Sequence, residues 1–339
     1  MSSEMRLDIE KYCTKIGADP LLVQGAGGNI SWKDGDTLWV KASGMWMVDA
    51  LKKDIFVPVN LVNLSNEISG GNYSATPKII GESVFKPSIE TILHALLPHK
   101  IVLHLHAVEI LACMVMVEYM SLLELVVGNE IKWVAVDYHK PGSELAQAIK
   151  VVLANSEGIK IIFLKNHGVV FGGDSIEEID LMLSNLSKRF RKHKALNLSL
   201  FKNVNSNVDK NHWGPYIKFY EAEIQQLALN SDLFNAVKNN WALYPDHIVF
   251  LGRNPYLFDS WEEFKSKNIL DSNPPDLIFI KNSGVYTLTD FSVGKAAQLS
   301  CYYQVLRRQQ DFLGINKLSD AEIDEIVMWD AEKYRINLC

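Results

Sequence analysis

Hydrophobic and polar residues follow two different periods along the chain, and these periods predict helices and strands in alternation. Residues 5–16 carry apolar side chains at helical spacing. The segment IVLHLH (101–106) is an apolar run typical of a strand, and a helical pattern, AVEILACMVM, follows it. The segment KIIFLKNHGVVFGG (160–173) predicts two strands that break at Asn166–Gly168. Such alternation indicates an α/β or α+β protein.

Proline, glycine and capping residues mark the boundaries of the other predicted elements. Pro87 lies near the start of one predicted helix, and Asp174 is the predicted N-cap of another. We expect helices over 87–97, 142–154, 175–196, 216–229 and 291–313, and a last helix that opens with the capping box Ser319-Asp320-Ala321-Glu322. We expect further strands within 25–44 around a D-G turn, in HIVFLG (247–252) and in 276–288.

A polar stretch and two internal echoes predict the domain organisation. The segment 203–215 reads as a linker, which divides the chain into residues 1–203 and 204–339. Residues 277–295 echo 161–179, and 244–253 echo 97–106, so the second domain is predicted to be a diverged partial repeat. In that alignment His167, His104 and His106 correspond to Ser283, Leu251 and Arg253, which predicts that the second domain has no metal ligands.

Composition excludes several classes of protein. The chain of 339 residues has 48% hydrophobic and 22% charged residues, an ordinary globular balance. Its net charge of -6 argues against nucleic-acid binding, and the basic segment KRFRKHK (188–194) is interpreted as a solvated helix face. The four cysteines are far apart, which fits a reducing compartment. With neither a signal peptide nor a membrane-spanning run, we expect a soluble cytoplasmic protein that does not bind membranes.

Two histidines in the strand IVLHLH are the first candidates for chemistry. Alternate side chains of a strand share one face, so His104 and His106 lie opposite the apolar face formed by Ile101, Leu103 and Leu105. His167, at the strand break, is the natural third ligand. Three imidazoles with an open fourth position are typical of a catalytic zinc site. The alternative is two histidines on a wet strand face and an unrelated loop histidine.

Glu90 and a glycine-rich loop complete the candidate site. Glu90 is predicted in the first turn of the helix that leads into the histidine strand, where it could act as a general acid or base, or simply complement the helix dipole. The glycines of the loop 25–29 can point backbone amides at one anion, and Asn29, Ser43, Lys33 and Lys41 add donors and positive charge. A bare hairpin loop is the alternative. Neither nucleotide-binding fingerprint is present.

Taken together, these segments resemble the zinc-dependent class II aldolase/adducin family, which includes fuculose-phosphate and rhamnulose-phosphate aldolases. The segments occur in the order found in that family and cover roughly residues 5–200. The matching segments are GGNIS (27–31), KASG (41–44), PSIETILHALL (87–97), VLHLHA (102–107), YHKPGSELA (138–146) and KNHGVV (165–170).

The resemblance implies a fold and a set of functional residues. The fold would be a three-layer α/β/α sandwich with a largely antiparallel sheet, followed here by a smaller α/β C-terminal domain. His104, His106 and His167 would bind Zn²⁺ or another divalent metal, and Glu90 would transfer protons. The substrate phosphate would contact Gly28, Asn29, Ser43, Gly44 and Ser88. Further candidates are Lys33 and Lys41, and, as residues that complete a neighbouring subunit's site, Tyr119 and Tyr138.

The implied reaction is cleavage of a ketose 1-phosphate to dihydroxyacetone phosphate and an aldehyde through a metal-stabilised enediolate. The implied partners are a sugar phosphate and further copies of the chain in a homo-oligomer. A sugar-phosphate epimerase, dehydratase or decarboxylase on the same site, and a non-catalytic scaffold like adducin, stay open as alternatives.

Two features of the sequence depart from the small aldolases. Ile89 replaces a serine found in fuculose-phosphate aldolases, and the extension beyond residue 200 resembles the aldolase part of bacterial rhamnulose-phosphate aldolases fused to a dehydrogenase.

Overall fold

The computed structural model describes residues 3–193, 212–267 and 274–336. Among these residues the first sheet has seven strands in the order β3-β2-β1-β4-β7-β6-β5. All its neighbours are antiparallel except the pair β5–β6, so the predicted largely antiparallel sheet is confirmed. Its strands are β1 Asn29–Asp34, β2 Thr37–Lys41, β3 Phe56–Asn60, β4 Ile101–Leu105, β5 Trp133–Val136, β6 Ile161–Leu164 and β7 Gly168–Gly173.

Helices cover both faces of this sheet and make the predicted three layers. One buried cluster joins α1, α4, α5 and α7 to one face, and two others join α2, α3 and α6 to the opposite face. The helices are α1 Ser3–Gly17, α2 Leu61–Ser69, α3 Thr91–Leu96, α4 Val108–Met114, α5 Tyr119–Val127, α6 Ser143–Ala154 and α7 Ile176–His193, with a short 3₁₀ helix at Met47–Asp49. No described helix is long and apolar enough to cross a membrane.

The C-terminal part forms a second, smaller sheet. Its strand order is β10-β11-β12-β9-β8, with only β10–β11 parallel. The strands are β8 His212–Trp213, β9 Tyr216–Lys218, β10 Leu257–Phe258, β11 Leu277–Ile280 and β12 Gly284–Leu288. The helices are α8 Gln226–Leu229, α9 Ser231–Asn239, α10 Pro245–Leu251, α11 Trp261–Ser266, α12 Val293–Leu306, α13 Asp320–Val327 and α14 Asp330–Ile336. The predicted capping box at Ser319 is confirmed.

The two parts share a core, and helix α4 lies between them. Its residues Val108, Leu111 and Ala112 are fully buried in one cluster with side chains from α9, α10, α12 and α13. A buried ion pair crosses the same contact, where Glu109 accepts two bonds of 2.8 Å from Arg308. Most of the predicted linker, residues 203–211, lies outside the described residues, and residues 212–213 already form β8. The domain boundary near residue 203 therefore stays a prediction.

Three predicted elements are wrong in detail, two of them in the C-terminal part and one at the start of α7. Residues 247–251 belong to helix α10 and Gly252 is its C-cap, because Pro245 occupies the first turn of the helix, where no amide hydrogen is needed. Residues 216–218 form strand β9, paired with β12, and only Gln226–Leu229 of the predicted helix 216–229 is helical. The N-cap before α7 is Ser175, whose hydroxyl accepts the Glu178 amide at 3.2 Å, while Asp174 accepts the amide of Lys100 instead.

The two hairpins that the sequence aligns have similar turns in the structure. The segment that the sequence aligns with the histidine strand is not a strand. Asn166 and Asn282 both have positive φ, 51° and 59°, at the turns of β6–β7 and β11–β12. The other alignment, of 97–106 with 244–253, is wrong, because Leu251 is helical and Arg253 forms a surface ion pair with Asp324.

In the second sheet β9 pairs with β12, the second strand of its hairpin. In the first sheet β4 pairs in the same way with β7. Lys218 of β9 pairs with Tyr286, as His104 of β4 pairs with Val170. In this register Lys218 occupies the position that His104 has in the first sheet. The sequence alignment predicts Leu251 at this position instead. That the C-terminal part is a diverged repeat stays a prediction.

Candidate metal centre and active site

Three buried imidazoles converge at one end of the first sheet. His104 is the last residue but one of strand β4, His106 directly follows the strand, and His167 lies in the turn between β6 and β7. One ring nitrogen of each lies within 4.8 Å of the others, and the Nε2 atoms of His104 and His106 are 3.1 Å apart. Gly168 permits this approach, because a Cβ at that position would lie 2.3 Å from the Leu105 carbonyl oxygen. Strand alternation predicts the side on which these rings lie, and the structure confirms it.

The outer nitrogens of two of these rings face groups that can only accept a hydrogen bond. His104 Nδ1 lies 3.1 Å from the Val169 carbonyl oxygen, and His106 Nδ1 lies 3.1 Å from Asp246 Oδ2. These acceptors favour the tautomer that carries the proton on Nδ1, which leaves a lone pair on each Nε2. Two lone pairs that face each other at 3.1 Å repel unless a cation lies beside them.

The donor set fits a divalent metal. Nitrogens bound at about 2.0–2.1 Å to one tetrahedral zinc ion are separated by about 3.3 Å, close to the observed spacing. Burial lowers the pKa of His104, and it lowers that of His167 to about 3, so both rings are neutral near pH 7. Neutral imidazole is the form that binds metal. The residues present therefore fit the metal that the family resemblance implies.

The carboxylate of Glu90 faces the same point. Its Oε2 lies 3.5 Å from His104 Nε2, and its Oε1 lies 3.5 Å from His167 Nε2. Burial raises the pKa of Glu90, but the imidazoles of His104 and His167, which are protonated in acid, outweigh it and lower that pKa to about 2. The hydrogen bond of 2.7 Å from Asn29 Nδ2 also stabilises the carboxylate, and it does so when the rings are neutral. The carboxylate is therefore ionised at neutral pH.

Helix α3 begins later than the sequence predicts, and this changes the setting of Glu90. The predicted helix 87–97 begins at Thr91, because Pro87 bridges to Ala42 and the Ser88 hydroxyl accepts the Glu90 amide at 3.2 Å. Such a local side-chain bond competes with helix formation. Glu90 thus stands just before the helix rather than in its first turn, and its side chain is held by Asn29 instead of by the helix dipole.

His94 is a buried residue that contacts Asn29, the hydrogen-bond partner of Glu90. It is fully buried, its Nδ1 lies 2.7 Å from Ser31 Oγ, and its Nε2 hydrogen-bonds Asn29 Oδ1. Burial lowers the pKa of His94 to about 3, so the ring is neutral. The sequence leaves two interpretations of His94 open, a residue that supports the site and a surface residue. In the structure it fixes the amide of Asn29, which in turn holds Glu90.

The predicted phosphate-binding residues line one cavity with Glu90 and two of the histidines. This cavity encloses about 430 Å³ of free space, part of it open to solvent, and its walls include Gly28, Asn29, Ser43, Gly44 and Ser88. The Ser88 hydroxyl accepts hydrogen bonds from Asn29 Nδ2 and from the Glu90 amide, so its own proton can point into the cavity. The side chain of Asn29 is engaged with Glu90, Ser88 and His94.

The four further candidates lie in different settings. Lys41 lines the cavity, but its amine donates to backbone carbonyls, the shortest bond being 2.6 Å to Met45. Lys33 donates to the carbonyls of Leu97 and His99 outside the cavity lining, and burial lowers its pKa to about 8. Neither Tyr119 nor Tyr138 is part of that lining. Their predicted role in a neighbouring subunit's site stays a prediction.

Three charged residues of the C-terminal part also line the cavity, and sequence reasoning missed them. They are Asp246 at the start of α10 and Glu332 and Arg335 on α14. Arg335 lies 2.6 Å from Asp246 and 3.2 Å from Glu332. Burial raises the pKa of Asp246, but Arg335 and His106 outweigh it and hold that pKa well below its usual range. Pro245-Asp246 is a typical helix start that could have revealed α10, but no local pattern marks Arg335.

Comparison with known proteins agrees with these features. Residues 9–191 match the family described as Class II Aldolase and Adducin N-terminal domain. A Bacillus subtilis (strain 168) protein named Uncharacterized oxidoreductase YuxG is 25% identical over 335 residues, which cover 87% of this chain and 46% of that protein. The chain therefore spans about half the length of this curated relative.

Solved structures are also similar. The N-terminal class II aldolase domain of a conserved Thermoplasma acidophilum protein is 26% identical, covers 57% of this chain and 94% of its own, and has a TM-score of 0.48. A sugar-phosphate aldolase from Thermotoga maritima is 19% identical, with coverages of 59% and 97% and a TM-score of 0.46. Since the family match spans more than half of the sequence, the chain belongs to the class II aldolase and adducin N-terminal domain family.

Proposed function

We propose that this chain is a metal-dependent aldolase that cleaves a ketose 1-phosphate to dihydroxyacetone phosphate and an aldehyde. The observation that carries the proposal is the position of the Glu90 carboxylate, ionised and 3.5 Å from the coordinating nitrogens of two of the three clustered imidazoles. A carboxylate at this place can reach a substrate atom held at the open side of the metal centre.

The chain's own residues supply binding, orientation and proton transfer. His104, His106 and His167 would hold the metal, which when bound supplies a Lewis acid for the substrate's carbonyl oxygen. Glu90 accepts a proton from the substrate and returns it, while Asn29 keeps the carboxylate oriented. The hydroxyls of Ser43 and Ser88 and the glycine-rich loop would bind the phosphate, which places the reacting carbon near Glu90.

We propose Zn²⁺ as the metal, because three neutral imidazoles with an open position are typical of catalytic zinc sites. Elemental analysis of the purified protein would identify the bound metal, and reconstitution with Mn²⁺ or Co²⁺ would show whether another divalent ion serves. We further propose a cytoplasmic homo-oligomer. Light scattering measures the assembly state, and cell fractionation measures the location.

The function is tested by a cleavage screen on phosphorylated and free ketoses together with the variant Glu90→Gln. This variant should keep its metal, while proton exchange at the hydroxymethyl carbon of dihydroxyacetone phosphate falls by about 10²- to 10⁴-fold. Glu109→Gln, a buried carboxylate outside the cavity lining, is the control and should exchange normally. Unchanged exchange in Glu90→Gln would refute the assigned role.

The products separate the alternatives. Stereochemical inversion, loss of water or loss of CO₂ without dihydroxyacetone phosphate would identify an epimerase, a dehydratase or a decarboxylase on the same site. A protein that binds no metal and turns over no substrate would instead be a scaffold. The buried cluster of three imidazoles and a carboxylate argues against a scaffold, because buried ionisable groups are costly unless they are paired or bind metal.

A further inference from the structure

The position of Asp246 links the C-terminal part directly to the metal ligands. Asp246 is 2% exposed and lies at the start of α10, far along the chain from the histidines. Its Oδ2 is 3.1 Å from His106 Nδ1, the nitrogen that faces away from the metal position. The other carboxylate oxygen, Oδ1, lies 2.6 Å from Arg335 Nη2.

We infer that Asp246 is a positioning residue for the metal ligand His106, and that the C-terminal part is therefore a structural component of the metal centre. The inference rests on the proposed metal site. A carboxylate that accepts a hydrogen bond from the outer nitrogen of a ligating histidine fixes its tautomer and ring orientation and makes it a stronger ligand. Loss of such a partner typically weakens metal binding by about 10- to 100-fold.

The surroundings of Asp246 hold the carboxylate in this one place. Gln298 Nε2 donates to Oδ2 at 3.3 Å, so both carboxylate oxygens have partners on C-terminal helices. Arg335 compensates the buried negative charge and also contacts Glu332 at 3.2 Å. A buried carboxylate so held cannot swing away from His106 without losing its counter-charge.

The glycine-rich loop leaves room for this contact. A Cβ on Gly27 would lie 3.1 Å from Asp246 Oδ2 and 3.4 Å from His106 Nδ1, and 2.9 Å from the Gln24 carbonyl oxygen. The absence of a side chain at residue 27 thus lets the carboxylate and the imidazole meet beside the loop. His104 differs from His106 here, since its outer nitrogen faces the Val169 carbonyl within the same sheet.

The test measures the Zn²⁺ affinity of metal-free full-length protein by competition with a chromophoric chelator. Asp246→Asn keeps the size of the side chain and removes its charge, and it should weaken Zn²⁺ binding by about 10- to 100-fold. Glu109→Gln is the matched control, because it breaks another buried ion pair between the two parts, with Arg308. It should lower stability and leave the Zn²⁺ affinity unchanged.

A spectroscopic readout and a second variant separate positioning from a merely structural role. The visible absorption of the Co²⁺-loaded protein should change in Asp246→Asn, because this variant changes the partner of the metal ligand His106. The absorption should stay the same in Glu109→Gln, which leaves that partner in place. Gly27→Ala places a methyl group against Asp246 Oδ2 and His106 Nδ1, so it should also weaken Zn²⁺ binding.

The outcomes distinguish this inference from the proposed function. If the wild type binds Zn²⁺ and His104→Ala abolishes binding, the metal site stands. If Asp246→Asn and Gly27→Ala then bind Zn²⁺ as tightly as the wild type, the positioning role is overturned alone. A wild type that binds no divalent metal overturns both.

Discussion

A single asparagine beside the metal ligand His167 should carry an unusually large share of the stability of this region. Asn166 is fully buried and has a φ of 51°. Its Nδ2 donates to the carbonyl oxygens of Leu243 and Asn316 at 2.8 Å each, and its Oδ1 accepts from Asn316 Nδ2 at 2.8 Å. One side chain thus ties the ligand turn to two segments of the C-terminal part.

The cost of Asn166→Ala follows from these contacts. Each lost hydrogen bond contributes about 1 kcal/mol, so three contribute about 3 kcal/mol. Alanine tolerates the left-handed backbone less well than asparagine, which adds about 1 kcal/mol. We expect the free energy of unfolding to fall by about 4 kcal/mol in total. Asn282 offers a matched control, because it has the same backbone conformation in the other hairpin and an exposed side chain.

Urea unfolding of the metal-free variants, followed by tryptophan fluorescence and far-UV circular dichroism, measures the difference. Asn282→Ala should lose about 1 kcal/mol, the backbone contribution alone. Asn166→Ala should also bind Zn²⁺ more weakly, because the turn that presents His167 loses its anchor. If the two variants lost equal stability, the side-chain bonds of Asn166 would contribute nothing and this reasoning would be refuted.

Three further predictions concern the cavity. Gly27→Ala should weaken Zn²⁺ binding by about tenfold and also lower stability, because its Cβ would lie 2.9 Å from the Gln24 carbonyl oxygen; competition titration and thermal unfolding measure the two effects. Burial lowers the folded-state pKa of His94 from 6.5 to about 3, so the unfolded chain binds the proton first as pH falls. His94 should therefore contribute a loss of stability from about pH 6.5 towards pH 3, about 2 kcal/mol at pH 5. The buried rings of His104, His167 and His247 add their own losses, so His94→Asn should lose only its share of the pH dependence in urea titrations of metal-free protein. Lys41→Met should destabilise the fold, since the amine donates to three backbone carbonyls. A raised KM for phosphorylated substrate at unchanged stability would instead show that Lys41 contacts the phosphate.

The clustering of His104 with His106 could be predicted because the direction of their side chains is a local property of strand geometry. In β4 the side chains of Ile101, Leu103 and Leu105 enter one core cluster, and Val102 enters another on the opposite face. His104 follows the same alternation. The hairpin around residues 161–173 is likewise predicted by its apolar runs and its Asn-His-Gly break. The period of the side chains carries the necessary information.

Helix α10 could not be predicted from the apolar run alone. The segment HIVFLG is short, and periodicity does not distinguish a short buried strand from a short buried helix. His247, Ile248 and Phe250 are all buried, so no polar face marks the helical period. The start of α3 was predicted too early for a different reason. The hydrogen bond from the Glu90 amide to the Ser88 hydroxyl and the bridge between Pro87 and Ala42 are competing local interactions that the helical pattern does not reveal.

The contribution of the C-terminal part depends on packing between residues that are distant in sequence. Helix α4 follows directly after the histidine strand, and its buried side chains share a core with α10, α12 and α13. This packing fixes where α10 begins and so where Asp246 lies. The identity of the ligands is thus set within one sheet, while the charge beside His106 is set by the second part of the chain. A boundary near residue 203 would separate Asp246 from His106, and the shared core of α4 is the physical reason to treat the two parts as one structural unit.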